Sequence, residues 1–236
     1  MNENIITIPE EHEHDNSNQH MHFEYFIIYV PVMFIIYLVI FLCKVPFENY
    51  AFNTSSPTAI TSYTYSLFHA NTLHLIFNLI SLLFYGGLCE FDQWPIRTIF
   101  IHIYAIILGA AGSVLEANAR HEDFLLIGAS GGNYGFLGAL TGNIIMNWKD
   151  AGRPKQIMHL SIIISALISD VVLMFVLSKY TTIQISYGDH VGGLIGGFLA
   201  SIMVSRNETI RLWKIIVRIS TSVIIPILPT LVFCLA

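Results

Sequence analysis

Long apolar runs, separated by short polar segments, dominate this chain. Seven of them approach the roughly 20 residues that a helix needs to cross the hydrocarbon core of a bilayer. They cover approximately residues 25–43, 69–88, 98–114, 130–146, 157–177, 190–204 and 215–236. The pattern therefore predicts an all-α fold, a polytopic bundle of seven transmembrane helices.

The last run carries two residues that a helix tolerates poorly. Pro226 and Pro229 lie inside it, and each lacks the backbone N–H that the residue four positions earlier would bond. In a bilayer such freed carbonyls need partners on neighbouring helices. We therefore expect this span to be kinked, with neighbouring helices supplying donors to its freed carbonyls.

Composition supports the membrane class and excludes others. Hydrophobic residues make up 54% of the chain and charged residues only 11%, against roughly a quarter in soluble domains. No basic patch suggests nucleic acid as a partner, so the expected surroundings are the lipid bilayer. Cys43, Cys89 and Cys234 are too far apart for a disulfide framework or a metal-ligand spacing.

Residues 1–22 differ from the rest of the chain. They hold acidic residues and four histidines but no Lys or Arg, which predicts a disordered, acidic cytosolic tail. Such histidine runs are common in low-complexity tails, so we do not interpret them as a metal site. The predicted domains are this tail, a six-span core over residues 23–204, and a cytosolic loop with an additional helix over residues 205–236.

The distribution of positive charge predicts the orientation. With a cytosolic N-terminus, eight Lys and Arg residues lie on the cytosolic side and three on the other. The C-terminus is then lumenal or extracellular, in a secretory-pathway or plasma membrane. The sequon at Asn53 falls on the outer side, where glycosylation is expected, and the sequon at Asn207 on the cytosolic side.

Polar residues recur at one depth of the predicted bundle. Ser130 opens the fourth span, His190 opens the sixth, and His74 and Asn78 lie in the first third of the second. All three spans run in the same direction, so these groups share the outer leaflet. Polar groups inside a membrane are costly and indicate function by default.

Glycines explain how these groups could meet. The fourth span carries Gly131, Gly135, Gly138 and Gly142, and the sixth carries Gly192, Gly193, Gly196 and Gly197. Faces of small residues let helix backbones approach closely in lipid. Packing the fourth span on the sixth would bring His190 near Ser130.

These residue types suit acyl transfer. A serine hydroxyl needs a base to take its proton, and histidine is the usual partner. At a helix N-terminus the serine also has backbone N–H groups beside the developing oxyanion. His74 and Asn78, four residues apart, could both donate to that anion, although a purely structural interhelical hydrogen bond explains them equally well.

Three motifs resemble the rhomboid family of intramembrane serine proteases. Residues 128–131 (Gly-Ala-Ser-Gly) match its GxSG motif. His190, followed by Gly193 and Gly197, resembles the family's histidine motif HxxGxxxG. The spacing of His69, His74 and Asn78 resembles the H-x4-H-x3-N motif of the family's second span.

The resemblance implies a reaction and its machinery. It implies a dyad of Ser130 and His190, an oxyanion hole from the Ser130 N–H, His74 and Asn78, and a ring at Tyr134 that packs on the histidine. His69 and the motif glycines Gly128, Gly131, Gly193 and Gly197 are implied as support. The implied partners are single-pass transmembrane substrates, and no metal or organic cofactor takes part.

The sequence also departs from the family pattern and leaves alternatives open. Ile60 and Thr61 stand where the family commonly has Trp-Arg, and Asp170 lies mid-span without an assigned role. Asp189 cannot easily orient the adjacent His190, so we expect it to be a helix N-cap outside the dyad. A catalytically inactive relative that binds or escorts membrane clients is the alternative function; a transporter would not need the serine–histidine arrangement.

Overall fold

The computed structural model describes residues 27–180, 185–205 and 209–235 and is helical almost throughout. In that part of the chain the helices are α1 Tyr29–Leu42, α2 Thr61–Thr64, α3 Thr72–Ser81, α4 Gly87–Gln93, α5 Pro95–Arg120, α6 Ser130–Met146, α7 Arg153–Tyr180, α8 Tyr187–Val204 and α9 Leu212–Leu235. A 3-10 turn, Tyr65–Leu67, follows α2, and a π turn, Leu82–Gly86, joins α3 to α4. The predicted all-α fold is confirmed.

Two short strands that are distant in the chain pair beside the helices. Strand β1, Phe52–Asn53, pairs antiparallel with β2, Leu125–Leu126. Phe52 and Leu126 are buried in a small cluster with Tyr65 and Ile106. This pairing fixes the loop before α2 to the segment that leads into α6.

The helices have the length and composition of membrane spans. Within the described residues, Thr72–Gln93, Pro95–Arg120 and Leu212–Cys234 are each long and apolar enough to cross a bilayer, and α1 is a shorter apolar helix. The chain is therefore an integral membrane protein. The remaining long helices α6, α7 and α8 follow the order of the predicted runs, and their crossing of the bilayer stays a prediction.

Helices α5, α6 and α8 form the centre of the bundle, and α6 meets α8 backbone to backbone. A Cβ atom added at Gly193 would overlap the carbonyl oxygen of Gly131, and one added at Gly197 would overlap that of Gly135. Any residue other than glycine at position 193 or 197 would push the two helices apart. The predicted packing of the fourth span on the sixth is confirmed.

Glu90 fixes the start of α1 from another helix. Its side chain is 2% exposed, and its carboxylate accepts hydrogen bonds from the backbone N–H groups of Ile28, Tyr29 and Val30 at 2.8, 2.6 and 2.9 Å. The first N–H groups of a helix lack partners within it and form the positive end of its dipole. Glu90 satisfies three of them, an arrangement that the sequence pattern did not predict.

Helix α9 runs unbroken through its two prolines. The carbonyl oxygen of Ile225, four residues before Pro229, accepts a hydrogen bond from the Tyr104 hydroxyl of α5 at 2.7 Å. Pro229 cannot supply this bond because it has no N–H. The expected donor from a neighbouring helix is present at this carbonyl.

A charged cluster, the Asp150 cluster, ties the loop between α6 and α7 to the start of α9. Lys214 is buried and donates to Asp150 at 2.9 Å and to Asn147 at 3.2 Å, while Arg211 donates to Asp150 at 3.0 Å. Thr209 adds a hydroxyl at 2.7 Å. Burial raises the pKa of Asp150, but these hydrogen bonds and charges outweigh that effect and hold the pKa below its usual value of 3.8.

Candidate active site

Three helix starts meet at one end of the bundle and enclose a cavity of about 500 Å³. Ser130 is the first residue of α6, His190 lies in the first turn of α8, and His74 in the first turn of α3. The cavity is lined by these three side chains together with Asn78, Tyr134, Asn133 and Asp189. The cavity thus brings together residues that are distant in the chain, since His74 and His190 are 116 positions apart.

The turn before Ser130 needs glycine. Gly128 has φ +131°, a left-handed value that residues with a Cβ rarely adopt. A Cβ there would also lie 2.8 Å from both Cε1 and Nε2 of His74. Gly128 therefore lets the backbone that leads into Ser130 run directly against the His74 ring.

Tyr134 fixes the plane of the His190 ring. The two rings stack with centroids 4.2 Å apart and an interplanar angle of 14°. Both lie one turn into their helices, on the faces where α6 and α8 meet. The stacking holds the imidazole in one orientation beside the cavity, as the resemblance implied.

Asp189 is not the N-cap of α8, so that prediction is wrong. The cap is Ser186, whose hydroxyl accepts from the Asp189 N–H at 3.1 Å. The Asp189 carboxylate is instead buried, and its Oδ2 accepts a hydrogen bond from Ser130 Oγ at 3.0 Å. Adjacent helical residues point about 100° apart, so the geometry that keeps Asp189 off the His190 ring directs it to Ser130.

Ser130 and His190 line the same cavity but are not bonded to each other. Across the described residues, the hydroxyl of Ser130 donates to Asp189, and no hydrogen bond joins it to the His190 ring. A serine side chain has a single rotatable torsion, χ1, with three staggered rotamers, and in this structure the Ser130 rotamer is the one bonded to Asp189.

A second asparagine holds Asn78 in place. The Asn78 side-chain N–H donates to the His74 carbonyl at 2.9 Å, and its oxygen accepts from Asn133 at 3.1 Å. An amide has two N–H donors, so one of them remains for the cavity. Asn133 was not among the predicted site residues; its position three residues after Ser130 is the signal that could have revealed it.

The His74 ring also has a donor for the cavity. Its Nδ1 accepts from the backbone N–H of Ala70 at 3.4 Å. A neutral imidazole whose Nδ1 accepts carries its proton on Nε2. Asn71 caps α3 by accepting from the His74 N–H at 2.9 Å, which fixes the base of this side chain.

Sequence comparison gives the family. The profile of the Rhomboid domain matches residues 57–207, which include α2 to α8. The chain belongs to the rhomboid family.

Relatives of this rhomboid come from distant organisms. It is 27% identical to Rhomboid-related protein 3 of Homo sapiens over 169 residues, covering 67% of this chain and 41% of that protein. RHOMBOID-like protein 4 of Arabidopsis thaliana is 27% identical over 140 residues, covering 58% and 32%. The rhomboid protein YdcA of Bacillus subtilis (strain 168) is 27% identical over 145 residues, covering 61% and 67%. The match thus spans less than half of the first two relatives.

The remaining predicted residues of the rhomboid lie behind the cavity. The His69 ring, 8% exposed, makes edge contacts with His74 and Tyr37 at centroid distances of 5.3 and 5.4 Å. Gly131 packs against the Asp189 carboxylate. These residues, with Gly193 and Gly197 at the α6–α8 contact, set the distances between the three helix starts.

Proposed function

We propose that this rhomboid is an intramembrane serine protease that cleaves transmembrane segments of membrane proteins. The observation that carries the proposal is the convergence of Ser130, His190, His74 and Asn78 on one cavity. YdcA supports it, since its name provisionally assigns it as a rhomboid protease. The cavity wall also suits an apolar peptide, because α3 and α7 contribute Phe77, Ile80 and Ala166 to it.

The reaction proceeds through an acyl-enzyme. His190 takes the proton of the Ser130 hydroxyl as the serine oxygen attacks the scissile carbonyl. The C–N bond then breaks, and His190 returns the proton to the leaving amine. A water molecule, deprotonated by His190, cleaves the ester and regenerates Ser130.

The oxyanion of each tetrahedral intermediate needs donors that are already oriented. The backbone N–H of Ser130 at the start of α6 is one, and His74 Nε2 and the free Asn78 N–H are the others. Removal of one such donor typically lowers kcat about 10²–10³-fold. Glycine at position 128, the Ala70 contact and the Asn133 contact hold these donors before substrate arrives.

The test is cleavage of a single-pass transmembrane substrate by the purified protein in proteoliposomes. Ser130→Ala and His190→Ala should each abolish cleavage, with a loss of at least about 10³-fold, since triad-type residues act as a unit. Ser222→Ala is the matched control, because this exposed α9 serine donates to the Ile219 carbonyl of its own helix and lies outside the cavity lining. Cleavage that persists in either site variant contradicts the proposed dyad.

A wild-type protein that binds several such substrates but cleaves none would favour the alternative function. In that case the chain acts as an inactive rhomboid that escorts membrane clients. Binding and cleavage should therefore be measured on the same proteoliposomes.

A further inference from the structure

The mechanism leaves one buried acid at the site without a role. Asp189 is 1% exposed and is the acceptor of the Ser130 hydroxyl proton at 3.0 Å. We propose that Asp189 is a positioning residue that holds Ser130 in a resting rotamer, turned away from His190, until substrate occupies the cavity. The inference rests on the proposed function and adds a step that precedes nucleophilic attack.

The carboxylate is the fixed partner of this pair. The single proton of the Tyr65 hydroxyl is shared between the Asp189 Oδ1 at 2.7 Å and the Ile106 carbonyl at 2.9 Å. Gly109 and Gly131 pack against the same carboxylate so closely that neither position could carry a Cβ. Asp189 thus has no room to follow Ser130, and the serine must leave it.

The backbone that carries Asp189 is held as well. Glu116 of α5 accepts from the Ser186 hydroxyl and from the Gly188 N–H, both at 2.7 Å. The Ser186 hydroxyl in turn caps α8 at the Asp189 N–H. The backbone just before the Asp189 carboxylate is therefore anchored to α5.

A hydrogen bond to a carboxylate is stronger than one to a neutral acceptor. The bond between Ser130 and Asp189 therefore favours the resting rotamer over one bonded to the neutral His190 ring. A substrate carbonyl that enters the oxyanion donors supplies contacts only to the rotated serine, which shifts this balance. Weakening the Asp189 bond should raise the fraction of Ser130 that is ready to react.

The experiment compares Asp189→Asn and Asp189→Ala with the wild type in proteoliposomes. The first measurement is the rate at which a fluorophosphonate labels Ser130, and the second is kcat and KM for a transmembrane substrate. We expect the labelling rate and kcat/KM to rise, about threefold in Asp189→Asn and up to about tenfold in Asp189→Ala, because a larger fraction of Ser130 is then free to meet the reagent or substrate. The Ala variant leaves no unpaired tyrosine, because Tyr65 keeps its bond to Ile106.

Glu122→Gln is the matched control. It removes a negative charge at an exposed position outside the cavity lining, so its labelling rate should equal that of the wild type. Rates are compared per folded molecule, below the unfolding midpoint of each variant. An unchanged or lower labelling rate in Asp189→Asn overturns the inference and assigns Asp189 a structural role.

The two proposals fail in different ways. If wild-type Ser130 is not labelled, or is labelled equally well in His190→Ala, the proposed protease mechanism fails. If labelling depends on His190 but does not increase in Asp189→Asn, only the positioning role fails.

Discussion

Each residue of the proposed machinery is held by a second residue. Tyr134 stacks on His190, Asn133 bonds Asn78, and the glycine at position 128 lets His74 approach the turn before Ser130. Catalysis depends on geometry that is fixed before the substrate binds, and displacements near 1 Å can lower rates about 10²-fold. The supporting residues are therefore expected to affect rate more than stability.

Tyr134 gives a direct test of this expectation. Tyr134→Phe keeps the ring that stacks on His190 and should retain near wild-type kcat, because the hydroxyl has no partner among the described residues. Tyr134→Ala removes the stacking and should lower kcat about ten- to hundredfold. Steady-state cleavage in proteoliposomes measures both, and equal rates in Phe and Ala variants would contradict the positioning role.

At the residue scale, the polar residues that line the cavity could be predicted, but most of their contacts could not. Ser130, His190, His74 and Asn78 were identified because few residue types perform acyl transfer and their spacing matched a family motif. Asp189 contacts Ser130 and Tyr65, which lie 59 and 124 positions before it in the chain, so these contacts depend on how distant segments pack. The prediction that Asp189 caps α8 used local sequence alone and was wrong, because Ser186 is the N-cap.

At the scale of elements, the packing of α6 on α8 sets the width of the site. The two helices touch through backbone atoms at several glycines, so any added methyl group separates them. Because Ser130 and His190 lie at the starts of these helices, their separation follows the same contact.

Gly197→Ala should therefore destabilise the fold. Its Cβ would overlap the Gly135 carbonyl oxygen, and overpacking of this kind typically costs about 1–3 kcal/mol. Gly87→Ala is the matched control, because a Cβ there meets no atom within 4 Å and alanine favours helix by up to about 1 kcal/mol. Thermal unfolding in detergent measures both. A Gly197→Ala midpoint at or above that of Gly87→Ala would rule out the close contact.

The bond between Tyr104 and Ile225 gives a prediction for α9. Tyr104→Phe leaves the Ile225 carbonyl without its donor and should lower stability by about 0.5–1.5 kcal/mol. Adding Pro229→Ala restores an N–H four residues after Ile225, so the double variant should lose less stability than Tyr104→Phe alone. Unfolding midpoints of the wild type, both single variants and the double variant check this. Additive effects would show that the hydroxyl does not replace the missing N–H.

The order of the elements and the approximate bounds of several could be predicted from apolar runs, but their irregularities could not. The fourth and sixth runs form helices of 17 and 18 residues, close to the predicted bounds. The capping of α1 by Glu90 and the π turn at Leu82–Gly86 depend on packing between helices and leave no periodic signal in the sequence.

At the scale of the whole molecule, the two ends of the bundle differ. One end holds the cavity with Ser130, and the loop between α6 and α7 at the other end of α6 holds the Asp150 cluster, which ties that loop to α9. Helix α9 lies outside the matched Rhomboid domain, so this cluster connects the additional helix to the family core.

The lowered pKa of Asp150 predicts how stability depends on pH. Its ionised form is stabilised in the folded protein, so the stability that it contributes is present above its usual pKa and is lost as pH falls through the folded value. Asp150→Asn should lower the unfolding midpoint at pH 7, and the difference from wild type should shrink below about pH 4. Glu122→Gln, at an exposed acid, is the control and should show no such difference. If the midpoints of wild type and Asp150→Asn differed by the same amount at pH 7 and below about pH 4, the lowered pKa of Asp150 would be contradicted.

The central claim is that Ser130 is a nucleophile activated by His190, and covalent labelling tests it most directly. The protein in proteoliposomes is treated with a fluorophosphonate, digested and analysed by mass spectrometry. We expect one adduct on Ser130 in the wild type and in Ser222→Ala, and none in His190→Ala. An adduct on another serine, or an equal yield on Ser130 without His190, would contradict it.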